Sequence, residues 1–180
     1  MLAELYISLQ SNIESLDMAI KRNDEARKSC QLILGSFDSG LAYNDSLDQH
    51  FSKSLYWYYP SLTNNAYESL KSYGLHLITN DSIREKLGEI YEYKFVERYS
   101  LRQEEYFTST VAPLLTDWFE SYNFFDVMKP LNYNELSRST KYKHILKTMI
   151  SNRLGTNRTY KISRQVRINL AMMIKTELNK

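Results

Sequence analysis

Four basic residues near the C-terminus have the spacing of a binding surface. Arg164 and Arg167 share a face of a helix because they are three residues apart. Lys161 and Arg158 lie three and six residues before Arg164. Cations grouped in this way can bind phosphates or an acidic protein partner. The alternative, which we favour, is a basic face that is solvated or paired inside the molecule.

Charge is distributed unevenly along the chain. The net charge of the 180 residues is +2, but the stretch from Asn134 to Lys180 contains eleven Lys/Arg and two Glu, which gives +9. The residues before Asn134 therefore carry −7. Such a division is typical of proteins that contact nucleic acid or membranes, and also of a basic last helix that packs beside acidic helices. We favour packing, because the basic residues alternate with Ile, Leu and Met.

The other reactive residue types form no recognisable constellation. His50, His76 and His144 lie far apart in the sequence and lack the i, i+4 spacing of helical metal ligands. Cys30 is the only cysteine, which excludes an intrachain disulfide and metal sites built from cysteine pairs. The sequence contains no glycine-rich phosphate loop and no Ser or Cys nucleophile signature. We therefore predict no catalytic, cofactor or metal site, and interpret the chain as noncatalytic.

The composition favours long helices in one domain. A hydrophobic fraction of 43% and a charged fraction of 24% are typical of a soluble globular protein. Only five glycines and three prolines interrupt the chain, which argues against a strand-and-turn fold. A chain of 180 residues is long enough to bury one substantial core. We predict an all-α antiparallel bundle of long helices in a single domain, residues 1–180.

The first helix is predicted from Leu2 to about Leu34, with Gly35 as its stop. Its apolar stripe is spaced by threes and fours. The stripe consists of Leu2, Leu5, Leu9, Ile13, Leu16 and Ile20. The same pattern suits a coiled-coil seam with a parallel or an antiparallel partner.

Three more helical stretches carry apolar positions at helical spacing. They run over Ser46–Tyr59, Ser82 to about Ser121, and Ser139 or Thr140 to about Asn179. Pro60 ends the first of these, Pro113 kinks or interrupts the second, and Gly155 breaks or weakens the third. The apolar connector before the last stretch is expected to be anchored by Phe124 and Phe125.

An aromatic cluster lies at the predicted end of the second helix. Tyr56, Trp57, Tyr58 and Tyr59 form the densest aromatic patch in the sequence. One interpretation is a ligand shelf or an aromatic cage. We favour a hydrophobic cluster at a loop end.

The stretch from Thr63 to Tyr93 predicts a helical corner. A short helix ends at Gly74, because glycine adopts a left-handed backbone at little steric cost. Leu75, Leu77 and Ile78 are expected to fill the core beneath the corner. The polar residues from Asn80 to Ser82 then start the next helix.

This stretch resembles a family of bacterial proteins of unknown function, known chiefly from the Bacteroidetes. The family carries a Tyr-x-x-Leu-x-x-x-Gly corner, a Leu/Ile plug, an Asn-containing turn and an Arg-x-x-Leu helix. The matching positions are Tyr67, Leu70, Gly74, Leu77, Ile78, Asn80, Arg84 and Leu87. The C-terminal segment is also similar to the family's closing helix, at Ile174, Glu177 and Leu178.

The resemblance implies a location but no activity. Members of the family begin with a transmembrane helix that precedes a helical, extracytoplasmic domain. We therefore expect the chain to follow a membrane anchor, with a cytoplasmic protein as the alternative. We expect a noncatalytic interaction or sensor-like domain that binds a protein partner or a second copy of itself. The alternative function is binding of nucleic acid or an acidic partner through Arg158, Lys161, Arg164 and Arg167.

Overall fold

The computed structural model describes residues 1–92, 95–121, 123 and 126–180, which are helical and contain no strand. The α-helices are α1 Leu2–Asp38, α2 Asp48–Leu55, α3 Asn65–Tyr73, α4 Asp81–Glu92, α5 Phe95–Tyr106, α6 Ala112–Trp118, α7 Tyr133–Arg138 and α8 Thr140–Leu178. The predicted all-α fold is confirmed. None of the helices in the described ranges combines the length and the hydropathy needed to cross a bilayer.

Helix α1 buries one seam along its whole length. The seam residues follow alternating steps of three and four, the period of a coiled coil. They are Leu5, Leu9, Asn12, Leu16, Ala19, Asn23, Ala26, Cys30, Ile33 and Phe37. The predicted stop at Gly35 is wrong, because the helix continues to Asp38. Gly40 lies just beyond this end with φ 62°, and the amide of Leu41 donates to the carbonyl of Ser36.

Helix α2 is shorter than predicted. It ends at Leu55, and the residues from Tyr56 to Asn64 have no regular structure. Pro60 is therefore not the residue that ends the helix. Because this segment lies outside any helix, its backbone groups need other hydrogen-bond partners. Side chains of α1 and α8 provide several of them, as described below.

The helical corner at Gly74 is confirmed. Helix α3 ends at Tyr73, and Gly74 follows with φ 112° and ψ 120°. Ile78 is buried beneath the corner, but Leu77 is 50% exposed, so its predicted place in the core is wrong. Asn80 starts α4 by accepting a hydrogen bond from the amide of Ile83 at 3.3 Å.

The helix predicted from Ser82 to about Ser121 is interrupted before Pro113. A π-helical turn, Phe107–Val111, joins α5 to α6. Pro113 has no amide hydrogen, so the preceding turn cannot complete its α-helical hydrogen bonds. The hydroxyls of Thr108 and Ser109 donate to the carbonyls of Glu104 and Glu105 in that region. Helix α6 then ends at Trp118, a few residues before the predicted Ser121.

Helix α8 runs through Gly155 without a break. The hydroxyl of Ser139 caps its first turn by accepting from the amide of Tyr142 at 3.1 Å. The short helix α7, before Ser139, was not predicted. In the connector before it, Met128 is buried, whereas the predicted anchors Phe124 and Phe125 lie outside the described residues.

The chain divides into two compact units, each with its own core. Unit 1 comprises Met1–Ile20, Tyr59–Arg98 and Arg158–Lys180, and unit 2 comprises Lys21–Tyr58 and Tyr99–Asn157. Each unit takes one segment of α1 and one of α8, so the single-domain organisation stays a prediction.

Within each unit, α1 and α8 are antiparallel. In unit 1, Leu5 and Leu9 share a core with Leu170 and Ile174, and Asp17 pairs with Arg164. In unit 2, Cys30 contacts Arg153, and Asp38 pairs with Lys143. The later residue of α1 meets the earlier residue of α8 in both cases, as an antiparallel bundle requires.

Candidate functional site

The four predicted binding residues occupy different environments in unit 1. Arg158 and Lys161 are exposed. Arg164 donates to Asp17 at 2.5 Å, which is an ion pair between the basic last helix and the more acidic first part of the chain. Arg167 is buried and donates to the carbonyl and the hydroxyl of Ser163. The four residues therefore do not form one exposed cluster.

A different surface is exposed on α8 in unit 1. We call it the α8 outer face, and it consists of Arg158, Lys161, Ile162, Gln165, Asn169 and Met172. These residues fall within about 100° of the helix circumference at 100° per residue. Ile162 is 59% exposed and Met172 is 58% exposed. The face thus combines two cations with two apolar side chains and contains no acidic residue.

Arg167 belongs to a buried polar cluster in unit 1. Its Nε, the hydroxyl of Ser8 and the hydroxyl of Tyr91 are buried, and none has a described partner with hydrogen-bond geometry. Burial raises the pKa of Tyr91, while Ser8, Asn12 and the positive charge of Arg167 partly oppose that rise. Burial lowers the pKa of the Arg167 guanidinium, which Glu97 partly offsets.

As unit 1 contains Arg167, unit 2 also contains a buried cation, Arg153. It is 2% exposed, and its Nη2 donates to the carbonyls of Ser54 at 2.6 Å and Tyr56 at 2.8 Å. Its Nη1 donates to the sulfur of Cys30 at 3.4 Å. Ser54 lies in the last turn of α2, so the guanidinium satisfies a helix-terminal carbonyl and faces the negative end of the helix dipole.

Arg153 also lines a small cavity in unit 2. The cavity has a volume of about 20 Å³, enough for one water-sized species. Its lining residues include Arg153, Asn152, Gln103, Trp57 and Tyr106, and the surface that they present to the cavity is almost entirely apolar. We call it the Arg153 cavity. Trp57 belongs to the aromatic patch singled out in the sequence, so one member of that patch lines a cavity.

Burial disfavours the charged forms of Cys30 and Tyr142 beside Arg153. Burial raises the pKa of the Cys30 thiol despite the positive charge of Arg153. Burial also raises the pKa of Tyr142, whose ring packs edge-on against Trp118 with centroids 5.0 Å apart. The guanidinium stays protonated although burial lowers its pKa. The guanidinium therefore supplies a buried positive charge, and its described hydrogen bonds go to two carbonyls and one sulfur.

The three histidines have different surroundings. His50 forms a hydrogen bond with Ser29, between Nδ1 and the hydroxyl oxygen at 3.1 Å, and burial lowers its pKa. His76 and His144 are exposed. In the described part of the chain, no group of three or more His, Cys, Asp or Glu residues could hold a metal ion.

No protein-family model, no curated protein and no solved structure matches the chain. The candidate sites are therefore interpreted from their own geometry.

Arg153 is not among the residues predicted above, although the sequence contains a signal for it. Arg153 belongs to a series of α8 residues separated by alternating steps of four and three. The series in unit 2 is Tyr142, Leu146, Met149, Arg153 and Thr156, all of them buried. An arginine at a seam position is expected to be buried unless its side chain reaches solvent. The position of Arg153 in this series therefore distinguishes it from the exposed cations of α8.

Proposed function

We propose that this chain is a noncatalytic helical interaction domain that binds an acidic protein partner. The observation that carries the proposal is the α8 outer face of unit 1. Arg158 and Lys161 form no ion pair with any residue in the described ranges. Ile162, which directly follows Lys161, exposes more than half of its apolar side chain. Cations beside apolar contacts suit a partner with carboxylates around a hydrophobic centre.

The resemblance to membrane-anchored bacterial proteins supports a position for this domain. We propose that an anchor precedes Met1 and that the domain lies outside the cytoplasm. Protease added to spheroplasts that carry the full-length gene product tests the position. Degradation of the domain before lysis is the expected result. Survival of the domain until lysis would place it in the cytoplasm.

Site-specific photocrosslinking in cells of the source organism tests the interaction. A benzoylphenylalanine at Ile162 should give a discrete protein adduct, because the residue lies on the α8 outer face directly beside Lys161. The matched control is Ile7, which is 67% exposed on α1 of the same unit but shares its helix face with Glu4 and Glu14 instead of with cations. We expect no adduct at Ile7. The same adducts at both positions would contradict the proposal.

Charge reversal separates the proposed partner from the alternatives. The double substitution Arg158→Glu and Lys161→Glu should abolish the adduct at Ile162 while leaving the circular dichroism spectrum unchanged. A nuclease-sensitive adduct would indicate nucleic acid, and an adduct of twice the chain's mass would indicate self-association. Either result would contradict the proposal of an acidic protein partner.

A further inference from the structure

The α8 outer face of unit 1 carries its charge at one end. Arg158 and Lys161 both precede Ile162 in the helix. The members of the face from Ile162 to Met172 are uncharged. Because carboxylates are attracted to the cations, the acidic residues of a bound partner should be concentrated opposite Arg158 and Lys161.

The apolar side chains of the face lie at two separate points. Ile162 and Met172 are each more than half exposed. Met172 follows Ile162 by ten residues, which corresponds to about 15 Å along a helix. Between them lie Gln165 and Asn169, whose side chains hydrogen-bond to each other at 3.0 Å. A partner that covers the face therefore needs two apolar residues about 15 Å apart.

Helix α8 offers side chains to such a partner but no backbone groups. It runs from Thr140 to Leu178 without a break, so the carbonyls and amides of residues 158–172 are hydrogen-bonded within it. An extended segment along this face would find no partner on α8 for its own backbone groups. Each group that the contact shields from water would weaken binding by roughly tenfold. A helix satisfies its backbone internally and avoids this loss.

We propose that the acidic partner binds the α8 outer face through one amphipathic helix, an inference that rests on the function proposed above. The stretch from Arg158 to Met172 matches a partner helix of about 15 residues, or four turns. The carboxylates of this helix lie opposite Arg158 and Lys161. Its apolar residues contact Ile162 and Met172 from positions about ten apart.

Photocrosslinking at two positions of the full-length chain measures the spacing. Benzoylphenylalanine replaces Ile162 in one variant and Met172 in another, and both positions are exposed, so neither change disturbs a core. Mass spectrometry identifies the linked residue of the partner in each adduct. In a helical partner these two residues should be about 8–13 apart. At least two Asp or Glu residues should lie within about one turn of the residue linked to Ile162.

The other outcomes separate the helical partner from the proposed function. An extended partner advances about 3.3 Å per residue, so its linked residues should be about five apart. That spacing, linked residues in separate segments, or an adduct at Ile162 with none at Met172 would overturn the helical partner alone. Absence of a protein adduct at both positions would contradict the proposed function, and the helical partner with it.

A proline substitution in the partner tests the helix independently of the spacing. Proline midway between the two linked residues should abolish both adducts, because it breaks a helix interior. Alanine at the same position is the matched control and should retain both adducts. Adducts that persist with proline would overturn the helical partner, since an extended segment tolerates that residue.

Discussion

Replacing Gly74 with alanine tests the helical corner at the centre of the fold. Gly74 has φ 112° and ψ 120°, a backbone conformation that only glycine adopts readily. An added Cβ would also lie 2.5 Å from Nδ1 of His76 and closer still to Cε1. The substitution therefore introduces backbone strain and a steric clash at one residue.

The expected loss of stability follows from two opposing contributions. Strain at such a conformation costs about 1–3 kcal/mol. Alanine restricts the unfolded chain and returns about 0.4–1 kcal/mol. The clash adds little, because the exposed His76 ring can rotate away. We expect Gly74→Ala to lower the free energy of unfolding by about 1–2 kcal/mol, or Tm by about 2–8 °C for a chain of this length.

Gly35→Ala is the matched control, and its effect should have the opposite sign. Gly35 lies inside α1, and a Cβ there meets no atom within 4 Å. Alanine should therefore stabilise the chain by about 0.5–1 kcal/mol. Urea and thermal unfolding followed by circular dichroism measure both variants.

A further variant separates the clash from the strain. Gly74→Ala combined with His76→Ala should recover only a small part of the loss when it is compared with His76→Ala alone. If Gly74→Ala were as stable as the natural chain, or more stable, the assignment of the corner to a glycine-specific backbone would be refuted. Full recovery in the double variant would assign the loss to the His76 ring instead.

Two further predictions concern single ionisable groups in unit 2. Cys30 is fully buried, and burial raises the pKa of its thiol. Labelling of Cys30 by a thiol reagent should therefore be at least about 10³-fold slower in the native chain than in urea. Rapid labelling of the native chain would contradict the buried position of Cys30. Hydrogen bonds from Arg27, together with Lys28, lower the pKa of Asp24 below its ordinary value of 3.8. The stability that this carboxylate contributes is therefore complete above about pH 4 and is lost as the pH falls through its lower folded value. Asp24→Asn should make the loss of unfolding free energy on acidification smaller in that range, by less than about 1 kcal/mol. An unchanged dependence of stability on pH would contradict the pairing of Asp24 with Arg27 and Lys28.

The helices could be predicted because their periodicity is local information. The stripe of α1, the apolar positions of α8 and the corner at Gly74 follow from residues close together in the sequence. The errors came from reading a residue type without its context. Glycine disfavours a helix, but packing of the α1 seam on both sides of Gly35 outweighs a helix-propensity cost of about 1 kcal/mol. Gly40 ends the helix because its φ is positive.

The buried polar residues could not be predicted in the same way, because their partners are distant in sequence. Asn12 exchanges two hydrogen bonds with the backbone of Thr63 in unit 1, at 2.8 and 2.9 Å. In unit 2, Asn23 accepts from the amide of Tyr58, and Arg153 donates to the carbonyl of Tyr56, which is 97 residues away.

Each of these side chains occupies a seam position of a long helix and satisfies the backbone of the segment that follows α2. A half-buried segment without helix or sheet structure needs such partners where its backbone is shielded from water, since an unpaired buried backbone group costs about 1–3 kcal/mol. Polar residues at seam positions thus indicate where irregular backbone packs against the helices. The heptad register identifies these residues in the sequence, but only the structure shows which carbonyls and amides they bind. Arg153 differs from the two asparagines in one respect. Its hydrogen bond to the carbonyl of Tyr56 is charge-assisted, and such bonds are stronger than those between neutral groups.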